Sequence, residues 1–115
     1  MAKAYTEDST GLIFRLNDED FTVETDFLAT ETLECFCDYS EYGEYRYSRK
    51  MAVEIATRLT KRYLEDELDA EQLTYLFSVV TLDDIVKNVI ERFDAFRDTL
   101  ETDTIMFEMS YGKWI

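Results

Sequence analysis

The sequence contains no proline, no histidine and only three glycines among its 115 residues. The absence of histidine excludes the Ser–His and Cys–His pairs of most nucleophilic hydrolases, in which histidine is the base. The scattered positions of Gly11, Gly43 and Gly112 exclude a glycine-rich phosphate-binding loop. Without proline and with so few glycines, the chain shows no linker at which a second domain would begin. We therefore expect a single acidic domain over residues 1–115, with residues 1–10 loosely held.

Cysteine and long apolar runs are also scarce. Cys35 and Cys37 are separated by one residue, which suits neither a disulfide between them nor, without histidine, a four-ligand zinc site. No segment approaches the ~18 apolar residues of a membrane-spanning helix, and residues 1–10 lack the apolar stretch of a secretion signal. These features predict a cytoplasmic protein with no metal, no cofactor and no membrane association.

Negative charge is what the chain has in excess. It carries 26 Asp and Glu against 12 Lys and Arg, for a net charge of −14. Residues 1–45 carry a net charge of −10, residues 46–62 carry +5 and residues 63–115 carry −9. Because 46% of the residues are hydrophobic and 15% aromatic, this acidity does not indicate disorder. We expect the basic segment, through Arg58, Lys61 and Arg62, to neutralise nearby carboxylates.

The N-terminal third shows the period-two hydrophobicity of β-strands. Apolar residues alternate over residues 12–16 and again over residues 20–27, on either side of the turn-forming sequence Asn17-Asp18-Glu19. This pattern predicts a hairpin. Residues 33–39 also alternate and favour a further strand, although a short helix capped by Thr30 is the alternative.

The rest of the chain is predicted to be mostly helical. Residues 47–66 carry apolar side chains at helical spacing, Asp69 and Gln72 resemble the capping box of a second helix, and Thr81 can cap a third. Residues 105–109 could return as a closing strand. The predicted fold class is α+β, in which an N-terminal antiparallel sheet, made of the hairpin and one or two further strands, packs with about three helices.

Acidic residues are in phase with two of these predicted elements. Each set is predicted to share one face: Asp20, Glu24 and Asp26 on the second strand, and Asp84, Glu91, Asp94 and Asp98 on the third helix. Next-but-one residues of a strand stand about 6.6–6.8 Å apart. Such rows of carboxylates could imitate the phosphates of DNA, which present one negative charge per ~1.7 Å of helix axis. The alternative is that both rows are ordinary solvated faces.

A tyrosine-rich segment lies at the end of the acidic N-terminal block, next to the basic segment. Acids and aromatics are interleaved there: Glu41, Tyr42, Glu44 and Tyr45. Tyrosine is enriched at protein interfaces and packs on Lys or Arg side chains. The segment therefore could contact a basic partner, although its rings could equally cover the edge of the core.

Together these features predict a non-enzymatic inhibitor or regulator. We expect its partner to be a basic nucleic-acid-binding protein, such as a nuclease, a restriction or CRISPR effector, or a transcription factor. The predicted carboxylates would stand in for phosphates, with Tyr42 and Tyr45 as anchors, and the chain itself would not bind nucleic acid. In size and composition it is similar to phage-encoded DNA-mimic antagonists, without a motif of any one family.

The alternative function is a small acidic chaperone or assembly factor. Such a protein would bind its client through aromatic and apolar surface, including Tyr42, Tyr45 and Trp114. Charge then matters little, and neutralising the acids would leave client binding intact. The sequence is compatible with a monomer or a homodimer in either case.

Overall fold

In a computed structural model of the chain, the described backbone covers residues 5–40 and 49–111, and the described side chains cover residues 5–35 and 49–96. The fold is α+β, as predicted, with an antiparallel sheet at the N-terminus followed by helices. The described elements are β1 (Tyr5–Glu7), β2 (Leu12–Leu16), β3 (Glu19–Val23), α1 (Thr25–Ser40), α2 (Arg49–Glu67), α3 (Ala70–Val79) and α4 (Leu82–Tyr111).

The sheet has the order β1-β2-β3, with both neighbouring pairs antiparallel. Asn17 and Asp18 form the predicted turn between β2 and β3 and have φ angles of 54° and 64°. Asn and Asp tolerate this left-handed conformation, which two-residue hairpin turns require. The expectation that residues 1–10 are loose was wrong for β1, whose Tyr5 ring packs 5.1 Å from the ring of Phe14. Residues 1–4 lie outside the described part.

Helix α1 corrects the prediction for residues 20–40. The second strand ends at Val23, four residues earlier than expected, and the strand favoured over residues 33–39 is helical. Leu28 and Ala29 lie about one helical turn before Thr32, and all three are buried. The hydroxyl of Thr32 donates a 2.7 Å hydrogen bond to the carbonyl of Leu28, so its burial leaves no unpaired polar atom. The alternative of a helix capped by Thr30 was correct in type of element, but α1 begins earlier, at Thr25.

The predicted capping signals are confirmed at the starts of α3 and α4. At the start of α3, the carboxylate of Asp69 accepts the N–H of Gln72 at 2.8 Å, and the side chain of Gln72 accepts the N–H of Asp69 at 3.0 Å. At the start of α4, Thr81 and Asp84 exchange the same pair of bonds, at 3.1 and 2.9 Å. These reciprocal bonds satisfy N–H groups that a helix leaves unpaired at its first turn.

Helix α4 is longer than predicted. It continues to Tyr111, so residues 105–109 are helical and the closing strand suggested there was wrong. Ile105, Met106 and Met109 also fit helical spacing, which is why the short alternation was a poor guide.

The described helices and the sheet share one apolar core. Helices α1, α2 and α4 contact one another, and α3 contacts β2. Phe14 of the sheet and Phe93 of α4 are fully buried, and fully buried Ala29, Ala52 and Ala56 allow the helices to approach closely. No helix within the described residues is both long enough and apolar enough to cross a membrane.

Candidate functional site

The predicted row of carboxylates on the second strand does not form. Asp20 lies in β3, Glu24 lies between β3 and α1, and Asp26 lies in the first turn of α1. Because the backbone changes from strand to helix at Thr25, the three side chains no longer share a face. The prediction was wrong because the period-two pattern was extended into residues that begin a helix.

Asp20 belongs instead to an acidic patch where the β2–β3 hairpin meets α3. The side-chain amide of Asn17 donates a 2.9 Å hydrogen bond to the carboxylate of Glu71, which fixes the turn beside the first turn of α3. Arg15 approaches Asp20 at 3.5 Å, but both side chains are more than half exposed, so this salt bridge is weak. We define the hairpin patch as the exposed carboxylates around this junction: Asp18, Glu19, Asp20, Asp69 and Glu71.

A second group of carboxylates surrounds a cleft between β1 and α4. Glu7, Asp84 and Glu91 line this cleft together with Lys87 and Asn88. Asp84 and Glu91 are seven residues apart, so they lie on the same side of α4 about 10.5 Å from each other. The structure thus brings two acids of the predicted helical row next to Glu7, which the sequence did not single out. Lys87 gives this β1–α4 cleft a cation of its own.

Beside the β1–α4 cleft, Arg92 pairs with two carboxylates, that of Glu7 in the cleft and that of Asp26 next to it. Its guanidinium lies 3.2 Å from the carboxylate of Glu7 and 3.4 Å from that of Asp26. The Arg92 side chain is only 13% exposed, so water screens these ion pairs less than it screens those of an open surface. Asp26 is therefore placed to hold the fold together, and it is poorly suited to the role of a phosphate surrogate.

The remaining bonds of Arg92 go to the backbone and to its own helix. The guanidinium donates to the carbonyls of Asp8 at 2.7 Å and Ser9 at 2.9 Å, and Nε donates to the Oδ1 atom of Asn88 at 3.0 Å. All five N–H groups of the guanidinium thereby have acceptors. Sequence reasoning missed Arg92, because nothing local to residue 92 indicates that the turn after β1 packs against it.

Asp84 has a structural task in addition to its place in the cleft. Its carboxylate accepts a hydrogen bond from the backbone N–H of Thr81, and this bond lowers the pKa of Asp84 below its usual value. A second bond, with the Thr81 hydroxyl, acts in the same direction. The carboxylate is consequently both an exposed negative charge and the cap of α4.

The other predicted residues are distributed over separate places. Asp94 lies 2.9 Å from Arg49 and connects α4 to α2. The carboxylate of Glu24 is exposed, and its backbone N–H donates a 3.1 Å hydrogen bond to the hydroxyl of Tyr63. The predictions for a last set lie outside the described side chains: Glu41, Tyr42, Glu44, Tyr45 and Asp98.

Three basic residues of α2 do not neutralise the described acids as expected. Arg58, Lys61 and Arg62 are all exposed, and none forms a salt bridge with a carboxylate in the described part of the chain. The positive charge of these three residues is thus exposed to solvent, and none of them lines the β1–α4 cleft or the cleft between the hairpin and α3.

An apolar groove lies between the start of α1 and the end of α2. Phe27 stands at its edge with half of its surface exposed, although its place in the predicted strand suggested burial. Phe27 lies one position before the buried Leu28, and a helical interpretation of residues 25–35 would have placed it at the rim. Burial raises the pKa of the Tyr63 phenol in this groove above its usual value. We define the α1–α2 groove by its lining residues: Phe27, Leu28, Glu31, Leu59, Arg62, Tyr63, Asp66 and Glu67.

Neither a metal site in the described residues nor a similar protein of known function points to a particular function. Within residues 5–35 and 49–96, no three His, Cys, Asp or Glu side chains form a group that could hold a metal ion. The chain matches no protein-family model, no curated protein and no solved structure. The described surfaces are accordingly the basis for a functional proposal.

Proposed function

We propose that this protein is a non-enzymatic inhibitor or regulator that binds a basic nucleic-acid-binding protein through carboxylates that imitate phosphates. The observation that supports this proposal is the hairpin patch, in which, among the described residues, the five exposed carboxylates have only one cation within salt-bridge distance, Arg15 beside Asp20. Like charges repel, and an ordinary protein surface mixes both signs. A concentration of one sign on ordered elements suits a partner of the opposite sign.

The hairpin patch is better suited to this role than the β1–α4 cleft. Lys87 lines the cleft and Arg92 adjoins it, so part of the negative charge there is already balanced. In the described part of the chain, no Lys or Arg lines the cleft between the hairpin and α3. Its charges therefore are available to the Lys and Arg side chains of a partner.

The proposed mechanism is competition for a basic groove. A nuclease, restriction or CRISPR effector, or transcription factor binds phosphates with Lys and Arg, and the same side chains would bind Glu19, Asp20 and Glu71. Charge pairs of this kind steer association and weaken as salt is added. A phage-encoded antagonist acting in the cytoplasm, as a monomer or a homodimer, would use such a surface.

The experiment is affinity capture from a cell lysate by the immobilised chain at low and at high salt. We expect nucleic-acid-binding enzymes to be captured at low salt and to be displaced by added duplex DNA. Combining Glu19→Gln, Asp20→Asn and Glu71→Gln should abolish capture, whereas a control with the same charge change at exposed acids outside the hairpin patch and the α1–α2 groove, Glu34→Gln, Glu54→Gln and Asp83→Asn, should retain it. Capture that responds neither to salt nor to DNA, or that falls equally with both triple variants, contradicts the proposal.

A chaperone or assembly factor is the second candidate, and the exposed aromatic residues favour it. Phe27 is 50% exposed and Phe77 is 48% exposed, although large apolar side chains are usually buried. In this case the triple hairpin variant should still suppress aggregation of a heated client protein, as measured by light scattering. The double variant Phe27→Ala and Phe77→Ala should lose that activity.

A further inference from the structure

The α1–α2 groove combines an apolar floor with an aromatic residue at its edge. The start of α1 lies beside the end of α2, where the hydroxyl of Tyr63 accepts the N–H of Glu24. Leu28 is 2% exposed and forms part of the floor together with the partly buried Leu59. The half-exposed ring of Phe27 above this floor provides apolar surface that a partner could cover.

The rim of the groove is negatively charged. Glu31, Asp66 and Glu67 line it against a single cation, Arg62, which forms no salt bridge with any described residue. An apolar floor inside an acidic rim is complementary to a segment that carries both apolar and basic side chains.

The end of α2 adds a second preference for positive charge. Glu65, Asp66 and Glu67 occupy the last turn of this helix, and that turn contains no basic residue. The C-terminal end of a helix carries a partial negative charge, so carboxylates are unfavourable there and cations are favourable. A Lys or Arg from a partner would therefore interact favourably with the side chains and with the helix end.

We infer that the α1–α2 groove is the docking site for a basic amphipathic segment of a partner protein, in which an apolar side chain covers Phe27 and neighbouring Lys or Arg residues face Glu31, Asp66 and Glu67. This inference rests on the proposed function in one respect, namely that the partner is basic. It adds a second contact surface to the hairpin patch and names the side-chain chemistry that this surface recognises.

The test uses a fluorescently labelled peptide of leucine and lysine that forms an amphipathic helix, with leucine at positions i, i+3, i+4 and i+7 and lysine on the opposite face. Its affinity for the full chain is measured by fluorescence anisotropy. We expect the leucine–lysine peptide to bind more tightly than a peptide with serine in place of leucine and than one with glutamate in place of lysine. Equal binding of the leucine–glutamate peptide would show that charge has no part in recognition and would overturn the inference.

Two aromatic variants locate the binding site. Phe27→Ala should weaken peptide binding about tenfold, the size of effect typical of a central aromatic contact. Phe77→Ala is the matched control, because Phe77 on α3 is equally exposed but lies outside the groove, and it should change the affinity less than about twofold. If the two variants weaken binding equally, the groove is not the site. Circular dichroism of both variants checks that each remains folded.

Neutralising the acidic residues of the rim and neutralising its one cation should change the peptide affinity in opposite directions. Glu31→Gln combined with Asp66→Asn should weaken binding of the leucine–lysine peptide, whereas Arg62→Gln should strengthen it. A loss of affinity in the Arg62→Gln variant would contradict the inference, since removal of a cation cannot weaken an interaction driven by the carboxylates around it.

The peptide experiment and the capture experiment can refute the groove inference and the proposed function independently of each other. If enzymes are captured and displaced by DNA but peptide binding does not depend on Phe27, the groove inference is wrong and the proposed function stands. If the peptide binds at the groove but no captured protein is displaced by DNA, the proposed function is wrong and the groove inference stands.

Discussion

The guanidinium of Arg92 donates a hydrogen bond of 2.7 Å to the backbone carbonyl of Asp8, a residue 84 positions earlier in the sequence. The same side chain forms ion pairs with Glu7 and Asp26. One cation thereby connects the turn after β1, the start of α1 and the middle of α4. In a chain of net charge −14, it also offsets the repulsion between the carboxylates that it brings together.

Replacing Arg92 by Gln should lower the free energy of unfolding by about 2–4 kcal/mol. The substitution removes a largely buried charge and leaves two carbonyls and two carboxylates without their donor. Arg92→Lys should recover only part of this loss, because an ammonium group cannot reproduce the planar fork of a guanidinium. Urea denaturation followed by circular dichroism measures the effect.

The matched control for this prediction is Lys87→Gln. Lys87 lies on the same helix, carries the same charge and forms no salt bridge with a described residue, so its loss should cost less than about 0.5 kcal/mol. Equal destabilisation by Arg92→Gln and Lys87→Gln would show that only the net charge matters and not the contacts of Arg92.

Gly11→Ala should destabilise the protein by about 3 kcal/mol or more. A Cβ atom at this position would collide with the carbonyl oxygen of Val23 and would lie 2.7 Å from the backbone nitrogen of Thr25. Both obstacles are backbone atoms at the junction of β3 and α1, so neither can move aside as a flexible side chain would. The same denaturation measurement applies, with the exposed Ser9→Ala as its control. If Gly11→Ala is as stable as Ser9→Ala, the close approach at Gly11 is not a constraint.

Parts of the fold were predictable because their signals are local. The turn at Asn17 and Asp18 and the caps at Asp69 and Thr81 each depend on residues within four positions of one another. Helix α1 was not predictable in this way, since residues 33–39 alternate as a strand would. The decision between strand and helix comes from the burial of Leu28 and Ala29 in the core shared with the other helices, and a single sequence does not contain that information.

The candidate site was predictable only in its composition. Asp20, Asp84 and Glu91 are exposed acids, as the sequence indicated, and Asp84 and Glu91 share one side of α4, but the strand row to which Asp20 was assigned does not form. Arg92 was missed because its acceptors are mostly backbone carbonyls, which every residue possesses. The exposure of Phe27 was missed because the predicted strand placed this side chain on the buried face, whereas Phe27 lies in α1.

Stability at low pH should depend on Asp84. Hydrogen bonds from Thr81 lower its pKa in the folded protein below the ordinary value of 3.8, so the folded state binds this proton less readily than the unfolded state. The stabilising contribution is therefore complete above the ordinary pKa and is lost as the pH falls through the lower pKa of the folded state. Asp84→Asn should be less stable than the wild type near neutral pH, and the difference should shrink below about pH 4.

The control for Asp84 is its neighbour Asp83. Asp83→Asn relieves the same amount of charge repulsion without touching the bonds to Thr81, so it should not reproduce the loss of stability. The urea midpoints of both variants, measured across the acidic pH range, provide the comparison. An Asp84→Asn variant that matches Asp83→Asn at every pH would show that the cap contributes nothing.

Added sodium chloride should stabilise the fold while it weakens partner binding. The net charge of −14 makes the folded state repel itself, and salt shortens the range of that repulsion from ~10 Å at 0.1 M to ~3 Å at 1 M. The urea midpoint should therefore rise with salt, and it should rise less in the triple variant Glu19→Gln, Asp20→Asn and Glu71→Gln.

Urea is the suitable denaturant for this measurement because it is uncharged. A midpoint that falls with salt would mean that attractive ion pairs such as Arg92–Asp26 outweigh the repulsion. If instead the midpoint rises while capture of the partner is lost, unfolding cannot explain that loss, which then reflects screening of the contact itself.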